Sequence, residues 1–141
     1  MSKGYAAYKS AVQSTTTDRG REVQAFALVT SKLEKASLLV GNSDLTAVAA
    51  VQDALQHNMQ LWDILRIVCA EEQNALPKEI RFNLVQIARF MQARTEAMTG
   101  TADDRPALAA MIEINRNVMA GLAPIATQAA DAAPASASVS S

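Results

Sequence analysis

A chain of 141 residues carrying a formal net charge of −1 has the material for one compact domain, and it generates no overall positive field to hold a phosphate backbone. Half of its residues are apolar, but the aromatics are only one Trp, two Tyr and three Phe. Ala, Leu, Met, Gln, Glu and Arg fill the middle of the chain, which favours helix over strand. The expected fold class is therefore all-α, a small bundle of about four helices. Direct nucleic-acid binding is disfavoured, because no segment gathers Lys and Arg into a run. The lone Cys69 offers no internal disulfide and no cysteine-based metal site. No stretch approaches the roughly 20 apolar residues needed to span a bilayer, and the N-terminal residues lack the apolar core of a signal peptide. These features together predict no membrane partner and a cytoplasmic location.

Residues 1–17 read as an N-terminal arm or short helix: Tyr5, Tyr8 and Val12 share a helical face before the polar run Ser14 to Asp18 interrupts the pattern. Asp18 is a plausible N-cap for a first long helix, in which Phe26, Val29, Leu33, Ala36 and Val40 recur at three- and four-residue spacings before the stop signal Gly41-Asn42. Ser43 or Asp44 then caps a second helix with the stripe Val48, Val51, Leu55, Asn58, Trp62, Leu65 and Cys69, predicted to end near Gln73. Leu61, Ile64, Ile67 and Val68 fall outside that stripe. The C-terminal half of this helix is thus apolar over an arc of about 220°, more than one packing face requires.

Asn74-Ala75-Leu76-Pro77 should reverse the chain, since Pro disfavours helix at Leu76 yet suits the first turn of a new one. A third helix follows to about Thr99, with Ile80, Leu84, Ile87, Ala88, Met91 and Met98 inward; Phe82 projects almost opposite and Phe90 well off centre. Thr101 to Asp104 cap a fourth helix, with Pro106 in its first turn and Leu108, Met111, Ile112, Met119 and Leu122 as its stripe, interrupted by Asn115. From Ala123 the Ala/Ser/Pro composition buries too little apolar area to offset backbone ordering, so 123–141 is predicted to be a disordered tail, and the bundle domain is bounded at 18–122.

No catalytic constellation emerges, and no cofactor is expected. The only histidine, His57, projects onto the polar side of its helix and is expected to be solvated. Cys69 lies on an apolar face near a helix C-terminus, where a thiol behaves as a small hydrophobe. The neighbouring pairs Glu71-Glu72 and Asp103-Asp104 lie at helix boundaries, where capping and solvation explain them. The chain is expected not to be an enzyme. What remains is surface. Leu61, Trp62, Ile64, Val68, Phe82 and Phe90 form the predicted contact set for a partner helix laid in a groove, although core packing is the ordinary role of any one of them, Trp62 above all. The alternative use of surplus apolar surface is an interface between two copies of the chain.

The segment Leu61 to Met91, with LW, NALP and EIR before an amphipathic helix, resembles the FlaF family of flagellar proteins. The N-terminal AYKSAVQSTTTDRGREVQAFALVTSKLEKA is similar to the start of that family and MIEINRNVMAGL to its closing helix, so the likeness covers roughly residues 5–122. The resemblance implies a small cytoplasmic protein needed for flagellin production and export, with flagellin as partner and the regulator FlbT as antagonist or companion. Masking of flagellin's amphipathic helical termini is the mechanism it suggests. Post-transcriptional control of flagellin messenger RNA together with FlbT is the alternative.

Overall fold

The computed structural model describes residues 15–71 and 76–132, with side chains for 20–71 and 76–121. Four α-helices follow one another: α1 (Thr15–Leu39), α2 (Leu45–Cys69), α3 (Lys78–Glu96) and α4 (Arg105–Ala132), with a 3-10 turn at Ala102–Asp104 leading into α4. There is no strand among the described residues, so the fold is all-α as its composition implies. The chain divides into two compact units, one of residues 28–114 and one of the two chain ends. Within the latter, Phe26 and Asn115 are fully buried.

Residues 28–114 form a small bundle from α2, α3 and the adjoining parts of α1 and α4. Its core holds Leu33, Ala36 and Val40 from α1, Trp62, Leu65 and Cys69 from α2, Leu84, Ala88 and Met91 from α3, and Leu108 and Met111 from α4. α2 and α3 are the most closely packed pair, and polar bonds fix them antiparallel. Asn58 Nδ2 donates to Met91 Sδ at 3.6 Å near one end. At the other end the Arg81 guanidinium donates to the carbonyls of Cys69 (3.3 Å), Glu71 (3.0 Å) and Leu76 (3.2 Å). Those carbonyls include ones left over where α2 ends at its C-cap Ala70, so Arg81 satisfies both hydrogen bonding and the negative end of the helix dipole. The helix stops before the expected Gln73, which lies outside the described residues with the first part of the predicted Asn74–Pro77 turn.

Other boundaries shift for identifiable reasons. α1 begins at Thr15, three residues ahead of Asp18, because a Ser/Thr/Asp cluster offers several equivalent start points; the rest of the predicted arm lies outside the described residues. α3 ends at Glu96 rather than Thr99. α4 continues through Ala132, past the predicted boundary at 123. Residues 133–141 of the predicted tail lie outside the described residues.

The turn between α1 and α2 is tight. Gly41 has φ +94°, and a Cβ placed on it would sit 3.1 Å from the Ala102 Cβ. Both the left-handed backbone and the close approach call for glycine. Gly41→Ala is expected to lower stability by about 1–2 kcal/mol, read as a drop in the urea midpoint with unchanged slope. Asp44 caps α2, its Oδ2 accepting from the N–H groups of Thr46 (3.1 Å) and Ala47 (3.4 Å).

Candidate functional site

The six residues predicted to form a contact surface separate into three environments. Trp62 is 0% exposed and belongs to the core, so it holds the unit together and is not available for contact. Leu61 and Val68 are half-buried along one margin of α2's buried stripe. Ile64 (62% exposed), Phe82 (61%) and Phe90 (39%) face solvent, and Ile67, three residues after Ile64 on α2, is exposed as well. At 100° per residue, Ile64 lies about 115° from the centre of α2's buried positions and Ile67 almost opposite that centre. Phe82 and Phe90 occupy the outward side of α3, about 150° and 130° from its buried Leu84, Ala88 and Met91. Exposed apolar side chains therefore remain on the outer sides of α2 and α3, as they do at Leu28 and Leu38 on α1 and Leu45 at the start of α2.

A second apolar feature escaped the sequence reading. Val48, Val51 and Leu55 were expected to point into the core, but Val48 is exposed and the other two are half-buried; Ala47 and Ala54 are the buried residues of that half of α2. The three larger side chains line an open pocket of about 310 Å³ together with Leu39 and Met98. The usable signal was the pair of alanines, since small side chains let neighbouring helices approach where Val and Leu at the flank cannot. On α3, Ile80 is likewise exposed and Ile87 half-buried, so its inward face is narrower than the spacing suggested.

The pocket is closed at one end by a polar loop. Asp104 is buried, and its Oδ1 accepts from the Thr99 N–H and hydroxyl (both 2.8 Å) while Oδ2 accepts from the Gly100 N–H at 2.7 Å. Burial opposes its charge, but these hydrogen bonds outweigh burial and hold the carboxyl below the usual carboxylate range. Arg105 next to it donates to the Ser37 carbonyl (3.3 Å) and the Val40 carbonyl (3.4 Å), joining the start of α4 to the end of α1.

His57 is only partly solvated. Its Nδ1 lies 2.7 Å from Lys32 Nζ and 3.3 Å from Asp53 Oδ2, and Lys32 also pairs with Asp53 at 3.2 Å, so the three link α1 to α2. The projection onto the polar side holds; the neighbouring helix supplies the partners that periodicity cannot reveal. Cys69 is a buried free thiol. Among the described residues no group of three or more His, Cys, Asp or Glu is placed to hold a metal ion, and no helix is long and apolar enough to cross a membrane.

Residues 5–122 match the family model described as flagellar protein FlaF. No curated protein and no solved structure matches the chain.

Proposed function

Because the chain belongs to the flagellar protein FlaF family and so has a role in flagellar biogenesis, we propose that it is a flagellin-binding export chaperone and a positive regulator of flagellin synthesis. The observation that carries this reading is the apolar surface left over once the core has closed. Trp62 is wholly buried, yet Ile64, Ile67, Phe82 and Phe90 remain open to solvent on α2 and α3. Large exposed apolar side chains on two packed helices are candidates for covering by a partner. Flagellin awaiting export carries helical termini whose apolar stripes self-associate, and a helical platform in the cytoplasm would mask them side chain against side chain. The work is binding, with no chemical step.

Calorimetric titration of purified flagellin into the full-length protein tests this directly. A saturable complex is expected, lost when the terminal segments of flagellin are removed. Folded proteins that ignore each other would overturn the chaperone reading.

A further inference from the structure

The outward face of α3 joins exposed aromatic side chains to cations that nothing in the described protein uses. Phe82 and Phe90 are eight residues apart, about 12 Å along the axis, and Ala93 and Ala97 continue their strip on the exposed side. Lys78 and Arg89 project to one flank of this strip and Arg94 to the other, all three exposed. Among the described residues, other cations apart from Lys35 are engaged: Lys32 pairs with Asp53 and Arg66 with Asp63, while Arg81 and Arg105 donate to main-chain carbonyls. Among the described residues, Lys78, Arg89 and Arg94 have no hydrogen bond or ion pair, as is also true of Lys35 on α1. The carboxylates nearby have local roles. Glu79 stands in the first turn of α3, where the helix dipole favours an anion, and Glu96 accepts from Gln92 at 3.2 Å.

We propose that this face of α3 docks an amphipathic helix whose apolar stripe covers Phe82 and Phe90 and whose flanks carry carboxylates opposite Lys78, Arg89 and Arg94. The inference deepens the chaperone reading, from which it takes the idea of a helical client, by naming the surface and the charge of what it receives. Phe82 and Phe90, two turns apart with the exposed Gln86 between them, offer two apolar anchors to a partner helix, and flanking charge selects among partners and speeds encounter. Three cations with two carboxylates close by are too few to track a phosphate backbone, which favours a peptide over RNA.

Two synthetic helical peptides about five turns long, sharing one leucine stripe and flanked by Glu in the first and Lys in the second, provide the probe. Both are titrated into the full-length protein at low and high salt, alongside purified flagellin and a single-stranded RNA. The Glu-flanked peptide is expected to bind about tenfold tighter or more at low salt, with the preference shrinking as salt rises. Arg89→Glu with Arg94→Glu should abolish the preference, and Phe82→Ser with Phe90→Ser should abolish binding, both variants melting close to wild type. Equal affinity for the two peptides, or full binding by the α3 variants, overturns the assignment of this face, as does tighter binding of the RNA than of either peptide. If flagellin is ignored while the Glu-flanked peptide binds α3, the face stands and the flagellin reading falls. If flagellin binds the α3 variants as tightly as wild type, the chaperone reading stands and the face falls.

Discussion

Truncating Trp62 to alanine is expected to remove about 3–5 kcal/mol of stability, because a fully buried indole leaves both its transfer free energy and a cavity behind. Phe82→Ala, at a position 61% exposed, should change stability by no more than about 0.5 kcal/mol. Urea unfolding followed by circular dichroism measures both, and keeps the readout independent of the only tryptophan. The pair separates two roles that helical spacing left side by side: Trp62 in the buried core, and Phe82 on the exposed face proposed for docking. A Phe82→Ala loss as large as that of Trp62→Ala would return Phe82 to the core and remove the basis for a docking face on α3.

Asp104→Ala is expected to cost about 2–4 kcal/mol, since it strands the Thr99 and Gly100 N–H groups in a part-buried turn and removes charge-assisted bonds. The effect depends on pH in a defined direction. The folded carboxyl titrates below its unfolded value, so its contribution is fully present above the unfolded pKa of about 3.9 and is lost as pH falls through the folded pKa. Wild-type stability should therefore fall on acidification below about pH 4, and Asp104→Asn should be less stable at neutral pH and show a flatter acid limb. Urea midpoints from neutral to acid pH test this; parallel curves for the two proteins would mean that the carboxylate's charge contributes nothing.

Helix order, the stop at Gly41, the capping by Asp44 and the burial of Leu33, Leu65, Leu84 and Leu108 were legible because each depends on local chemistry or on a period within one helix. The exposure of Ile64, Phe82 and Phe90 was legible for the same reason: they project away from a stripe that packing had already claimed. The misplaced residues share a different cause. Val48, Val51 and Leu55 fit a helical stripe as well as Ala47 and Ala54 fit theirs, and the choice between two stripes 60–100° apart, roughly one residue of rotation, belongs to the neighbouring helices. The bonds of Lys32 to Asp53 and His57, and those of Arg81 to the Cys69 and Glu71 carbonyls, join residues 10 to 25 positions apart, and single-sequence periodicity carries no information at that range.

The Asn58–Met91 contact has a consequence for the register of α2 against α3. Sliding α3 along α2 by one turn would break this buried bond, at a cost of about 0.5–1.5 kcal/mol. That one bond favours a single axial register between the two helices over its one-turn neighbours.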